Sequence, residues 1–585
     1  MRSLLAAAAS LSLALGFANA ATPAPDASPP KKFVFSSGVG EIDAAYALAL
    51  WEMKMSAAEH GEGGHFLAGH GWQGLWTRDT SYAVELAAGL VHPGIAEASL
   101  RKCARDGVWM QDSCMHFGGW PNLSDAIVGA RGAWALYLVT GDAEFLRWAY
   151  GVTKNSLDRA EEEAYDVESG LFRGCSSFME SNSGYPDKYR DNGRLVGKTK
   201  ALSTNLLYHS GYALGAKMGK IVGAGEDEIE ELLVKGRKLR DAIRTRLWRE
   251  GLGNYAYFED EDGRLVEQNE GLGVGLLLTD PDFSEDDARV RDIFNTTHRT
   301  PRGLPCLWPP FEHARRPVSM FDDYAVFDRY HNGRIWPFVQ GYWAAAAATH
   351  GRADVFAEEF RNLLSLCMSP DPTFAEFYEL DGSFPDDRKR QLWSDAGFLG
   401  MIYRGLFGMT FRPDGIAFDP VKPHGLFGET VTLKNVLYRN MTIDVSVSGS
   451  GTRIASFAID NRHVVLSDTG AFIRSDLQGE HKISIVLNDN EVDFEVDGAQ
   501  NDNGVNVAQH PVYRKDWKDA GDVFSIHWPY YLVRVYLVLL VLAAFIPCLL
   551  FWKSWSIICS LFCMPGGAKW NKKTIHRRRG QSDVR

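Results

Sequence analysis

The feature that most narrows the folds open to this chain is a change in its hydrophobic period. From about residue 39 to 407, apolar residues return every three to four positions in segments of helical length, broken by Gly, Pro and Asp. Roughly twelve such segments begin near Ile42, Tyr82, Ile95, Ala126, Ala143, Ala201, Asp227, Glu267, Glu285, Gly333, Asp354 and Asp395. A dozen helices joined alternately by short and long connections suggest paired hairpins, and six pairs can close into a double ring with a bowl at one end. After Gly408 the period falls to two, in stretches such as Thr430 to Leu433, Met441 to Val447 and His481 to Leu487. Alternation of that kind, with Gly, Asn and Asp between runs, predicts a small antiparallel β domain of sandwich type.

The ends differ from this globular body. Residues 1–20 join Arg2, an apolar run and Ala18-Asn19-Ala20, the arrangement of a cleaved secretory signal, and an Ala-, Pro- and Ser-rich linker follows over 21–34. Val535 to Trp552 is an uncharged run of 18 residues edged by Trp528, Tyr530 and Tyr531, which predicts a membrane helix over 529–552 with the lipid bilayer as partner. Residues 553–585 hold eight Lys or Arg against the single acid Asp583, so the tail is expected in the cytoplasm and the body outside it. With the basic tail removed, the body is more acidic than the overall net charge of −12, which argues against nucleic acid as a partner. The five cysteines that precede the uncharged run at 535–552 and the histidines fall at no zinc spacing, so no metal is expected.

Four connections, 57–80, 161–200, 298–332 and 368–393, exceed ordinary loop lengths and point to functional loops. Each carries aromatic and acidic residues together. In the first, Trp72 and Trp76 offer flat apolar faces to a pyranose ring, while Arg78 and Asp79 can take its hydroxyls through charge-assisted hydrogen bonds. In the second, Glu180 follows Phe178 and Met179; a carboxyl against apolar groups has a raised pKa and can stay protonated as a general acid, with Asp187 in reserve. At the end of the third, in the stretch Tyr330 to Phe338, His331, Asn332 and Arg334 can hydrogen-bond a sugar while Trp336 walls the pocket. In the fourth, Glu376 between Phe374 and Phe377 is the second carboxylate, with Glu379 and Asp381 as alternatives. Two carboxyls from separate loops among aromatic platforms meet the requirement for cleaving a glycosidic bond.

The ordered pieces Trp-Thr-Arg-Asp (76–79), Gly-Trp-Pro with Trp120 followed by Asp125, Thr-Gly-Asp (140–142), Phe-Met-Glu (178–180), Tyr-His-Asn-Gly-x-x-Trp-Pro (330–337) and Trp-Ser (393–394) resemble the six-hairpin glycosidases. Within that superfamily the sequence is most similar to the amylo-1,6-glucosidase part of glycogen debranching enzymes, over roughly residues 35–420. The resemblance implies an (α/α)6 barrel and an inverting, cofactor-free mechanism. It implies Glu180 as acid, Glu376 as base and Asp79 with Arg78 as a grip on the non-reducing sugar; the full set of expected substrate-binding residues is Trp76, Arg78, Asp79, Trp120, Asp125, Tyr330, His331, Asn332, Trp336 and Trp393. Debranching relatives carry Asp where this chain has Glu180.

The expected organisation is therefore mainly α: signal 1–20, linker 21–34, (α/α)6 catalytic domain 35–410, antiparallel β domain 411–500, tether 501–528, transmembrane helix 529–552 and basic tail 553–585. The expected function is membrane-anchored, extracytoplasmic, exo-acting hydrolysis of a terminal sugar, glucose above others, from an oligosaccharide or glycan. The alternatives are an inactive carbohydrate-binding protein on the same barrel, or a phosphorylase or lyase of that fold.

Overall fold

The computed structural model describes residues 33–58, 64–111, 123–179, 183–189, 192–284, 286–313, 329–464, 466 and 470–488. Among them, six outer helices, Gly40–Ala58, Pro93–Lys102, Ala143–Ala164, Glu226–Arg246, Asp287–Thr296 and Ala353–Cys367, alternate along the chain with six inner ones. The inner helices are Thr77–Ala83 running through the π-helical Val84–Ala88 into Gly89–Val91, then Asp125–Thr140, Leu202–Val222, Gly271–Thr279, Pro337–Thr349, and Leu392–Gly400 running into the π-helical Met401–Leu406. Each inner helix packs on the next, and the last packs on the first, so the ring closes.

The two sets differ in sequence because they differ in surroundings. Ala143–Ala164 buries Phe145, Leu146, Ala149, Val152, Leu157 and Ala160 on one stripe and leaves its charges outside, as an outer helix must. The inner helices are enclosed on all sides: every residue from Pro337 to Ala348 and from Leu392 to Gly400 is buried. Small residues bring these two helices together closely. A Cβ on Gly341 would lie 2.7 Å from the Gly397 Cα, so any side chain there would force the helices apart.

The chain then forms a six-stranded sheet in the order Val34–Ser36, Thr430–Tyr438, Met441–Ser448, Gly479–Asn488, Arg453–Ile459, Arg462–His463. A three-stranded sheet joins Met409–Arg412, Gly415–Phe418 and Ala471–Arg474. The expected antiparallel β domain needs correction in one place. Met441–Ser448 and Gly479–Asn488 pair in parallel, with Val445 opposite Ile483 and Val447 opposite Ile485. The intervening strands supply the long crossover that a parallel pair requires. The sheet's first strand comes from the other end of the sequence, Phe35 pairing with Leu433, within the segment read as the end of a linker and the start of the helical domain.

The membrane reading is also corrected. No helix among the described residues is long and apolar enough to cross a membrane. The longest of them carry charged residues and turn their apolar faces onto the barrel, as Glu226–Arg246 does with Leu232, Leu239 and Ile243. Among the described residues the fold is helical with accompanying sheets, and none of its helices supports the membrane-anchored, extracytoplasmic placement expected from the sequence. Residues 529–552, like the signal 1–20, most of the linker, the tether and the tail, lie outside the described residues.

Candidate active site

The candidate residues gather where the inner helices begin. Trp76 is the N-cap of the first inner helix, with Arg78 and Asp79 in its first turn; Asp125 starts the second; Trp336 caps the fifth; and Trp393 is the second residue of the sixth. Side-chain bonds tie these starts together. Arg78 Nε lies 2.8 Å from Asp125 Oδ1, both groups buried, and Gln391 Nε2 donates to Asp79 Oδ1 at 2.9 Å. A continuous aromatic wall connects them: Phe178 lies 5.1 Å from Trp336 and 5.9 Å from Trp393, and Trp393 stacks on Phe338 at 4.2 Å.

Glu376 sits in the long loop before the sixth inner helix and is 3% exposed. Its Oε1 accepts hydrogen bonds from Trp72 Nε1, at 2.9 Å, and from the Tyr330 hydroxyl. Among the described residues its Oε2 accepts none, and it faces Arg388 Nη1 at 3.4 Å. Burial pushes the Glu376 carboxyl above the usual range, while Arg388, Tyr330 and Trp72 pull it back. The Arg388 guanidinium also lies over the Trp72 ring, 4.8 Å from its centroid, and Trp72 meets Trp76 edge-on at 6.0 Å. One charged cluster thus joins a carboxyl to the first aromatic loop.

Glycines let these two loops touch. A Cβ on Gly69 would fall 1.9 Å from Gln391 Oε1, and one on Gly71 would fall 2.1 Å from the Asp387 carbonyl oxygen. The short bridge from Gly69 to Gln391 therefore brings Trp72 to Glu376 across about three hundred residues of sequence.

Other candidates have different surroundings. Asn332 uses both ends of its amide on the Phe311 backbone, accepting at 2.7 Å and donating at 2.8 Å, and so fastens a loop. His331 is buried against Trp336, and burial with nearby Arg78 and Arg334 holds its imidazole well below the usual range, hence neutral. Glu379 is paired with Arg334 and Arg329, which suits an anchoring role for that reserve residue. Asp187 lies on His313 Nδ1 at 2.9 Å with 41% of its side chain exposed, a setting that lacks the apolar enclosure expected of a general acid. Glu180 and Trp120 lie outside the described residues.

Sequence reading passed over three residues with defined places here: Arg388, Gln391 and Glu270. Arg388 stands in a dense charged run, Asp386-Asp387-Arg388-Lys389-Arg390, whose proximity to Glu376 in the same long loop is the one signal that could have drawn notice. Glu270 is buried at the N-cap of the fourth inner helix, a position with no aromatic neighbour in sequence to mark it.

Residues 122–394 match the family model of the mannosylglycerate hydrolase MGH1-like glycoside hydrolase domain. Among solved structures, the chain is similar to a sialidase, 16% identical with a TM-score of 0.56, over 72% of this chain and 40% of that one. It is likewise similar to the GH78 family rhamnosidase of Bacillus sp. GL1, 12% identical with a TM-score of 0.50, over 78% of this chain and 44% of that one. The chain thus spans less than half the length of either structure, and both show the fold alone. A GH63 mannosylglycerate hydrolase from Thermus thermophilus is 16% identical with a TM-score of 0.46, over 61% of this chain and 100% of that one. No curated protein matches the sequence.

Proposed function

We propose that this chain, a glycosidase of the six-hairpin superfamily, removes a terminal sugar from a glycoside or oligosaccharide by general acid/base catalysis with inversion. Glu376 is the base that activates water, and Glu180 protonates the leaving oxygen. The observation that carries this reading is the unequal use of the two Glu376 oxygens. Oε1 is held by Trp72 and Tyr330, while Oε2, facing Arg388, accepts no hydrogen bond among the described residues and so has a lone pair to offer the proton of an attacking water. Arg388 favours the ionised form that a base needs.

The rest of the rim supports an exo-acting site. Arg78 and Asp79, held by Asp125 and Gln391, supply charged partners for the hydroxyls of a non-reducing sugar. Trp76 and Trp336 supply apolar faces, and the Trp393 indole N–H, which meets no acceptor among the described residues, supplies a further donor. Glucose is the sugar implied by the likeness to debranching enzymes. The description of the matched family favours a second reading, in which the terminal sugar is mannose.

The test is incubation of the purified chain with aryl α- and β-glycosides, natural oligosaccharides and mannosylglycerate, following product anomer by NMR. The first anomer formed is expected to be opposite to that of the substrate. Glu376→Gln and Glu180→Gln are each expected to lower kcat by about a thousandfold, within the range for general acid/base groups. Normal turnover by either variant would remove that residue from the mechanism, and retention of configuration would replace the inverting scheme with a nucleophilic one.

A further inference from the structure

Glu270 is a buried acid that the mechanism above does not use. It stands at the start of the fourth inner helix, held there by pairing of Asn269–Glu270 with Leu307–Trp308. Its carboxyl lies over Gly273 in the first turn of that helix and bridges the start of the third inner helix to the loop that precedes it. Oε1 accepts from the Ser176 hydroxyl, and Oε2 accepts from the Ser203 N–H at 3.1 Å. Ser203 in turn accepts the Ser177 N–H on its Oγ at 2.9 Å. Two tyrosines complete the cage: Ser176 N–H donates to Tyr185 at 2.7 Å, and the Tyr82 and Ser177 hydroxyls lie 2.7 Å apart.

The turn held in this way is a demanding one. Met179 N–H closes it on the Ser176 carbonyl at 3.3 Å, and Phe178 within it has a φ of 56°, a region that bulky side chains seldom adopt. That backbone sends the Phe178 ring into the wall formed by His331, Trp336 and Trp393. The next residue in sequence after Met179 is Glu180. Surrounding structure has to over-determine such a conformation for it to persist.

We propose that Glu270 is a positioning residue whose ionised carboxylate locks the Ser176–Met179 turn, and with it the Phe178 wall and the approach of the chain to Glu180. The importance of the turn for catalysis rests on Glu180 being the acid; the lock itself does not. The titratable groups around Glu270 are Tyr185, Tyr257 and Cys306, with Cys175 beside the two tyrosines, and among the described residues no lysine or arginine forms an ion pair with it. Burial without a cation pushes the Glu270 carboxyl up to about 7, against the pull of the Ser176 and Ser203 bonds. Above that pH both oxygens accept. Below it one oxygen carries a proton, the two donors lose an acceptor, and the turn is released.

Hydrogen exchange of the full chain, read on peptides covering 174–179 and corrected for intrinsic rates, tests this. In the unaltered protein, exchange is expected to accelerate at least fivefold between pH 8 and pH 6, with a midpoint near 7. Glu270→Gln, whose amide nitrogen cannot accept, is expected to exchange at the fast rate at both pH values. Ser176→Ala removes a bond that favours the ionised form and is expected to move the midpoint upward. Equal protection at pH 8 and pH 6 in the unaltered protein, or pH 8 protection unchanged by Glu270→Gln, overturns the proposal. If Glu270→Gln does not fold, an unmoved midpoint in Ser176→Ala overturns it instead. Glu180→Gln turnover answers separately whether residue 180 is the acid, so the two readings can fail independently.

Discussion

At the scale of single residues, the candidate base owes its character to one cation that lies twelve positions later in the chain. Glu376 is enclosed, which alone favours its protonated, useless form, and Arg388 offsets that by standing 3.4 Å from Oε2. Arg388→Met should therefore raise the Glu376 pKa further, because the adjacent opposite charge that favours the ionised carboxylate is removed. A base works only when ionised, so activity should be lost at a higher pH than before, and the acidic limb of kcat/KM should move upward. An unmoved limb in the pH–rate profile would mean that Glu376 is not the titrating base. Glu376 itself stood out in the sequence because it lies between two phenylalanines in an overlong loop. Arg388 was not, because a charged run looks like a solvated turn until the loop folds back and buries one of its members at 9% side-chain exposure. Asn332 shows a second use of such a motif: its place in Tyr-His-Asn-Gly suggested contact with sugar, and its amide makes one bond at each end to the Phe311 backbone.

Elements are specified more locally. The outer helix Ala143–Ala164 begins where Asp142 accepts the Glu144 and Phe145 N–H groups, both at 2.9 Å, and it follows Gly141, whose left-handed backbone ends the preceding inner helix. Thr-Gly-Asp is thus a stop and a start in three residues. Asp142→Ala should lower stability by about 1 kcal/mol, the usual cost of losing such a cap, measured as a shift in urea midpoint without a change in slope. No shift would mean that packing alone fixes that helix end. Starts of this sort, and the apolar stripes behind them, were open to sequence reading because they depend on neighbours within four residues. The π-helical segments Val84–Ala88 and Met401–Leu406 were not. They lie where the first and last inner helices meet, with Gly400 against Leu86, so their cause is a contact between distant parts of the chain.

For the whole molecule, closing a ring of six enclosed helices leaves a core with a charged centre. Arg131 grips Glu85 through two bonds of 2.7 and 2.6 Å, Tyr342 donates to the same carboxylate at 2.8 Å, and Arg404 donates to the Glu85 backbone carbonyl. The first, second, fifth and sixth inner helices meet there. Burial alone would raise the Glu85 pKa, but Arg131 and Arg404 hold it below the ordinary carboxylate range. Glu85→Gln leaves Arg131 buried without its counter-charge and should cost about 3–5 kcal/mol, read from thermal or urea unfolding. A loss of about 1 kcal/mol or less, the value of an exposed pair, would mean that water reaches the centre of the ring. The sequence by itself determined the helical segments, the switch to strands after Gly408 and the loops rich in aromatic and acidic residues, since hydrophobic period and turn chemistry act over a few residues. Tertiary structure alone decided that Val34–Ser36 joins a sheet built from residues beyond 429, and that Met441–Ser448 and Gly479–Asn488 run parallel. It also decided that Trp72, Tyr330 and Arg388 converge on Glu376, because burial and ion pairing are properties of the groups that meet, however far apart they lie along the chain.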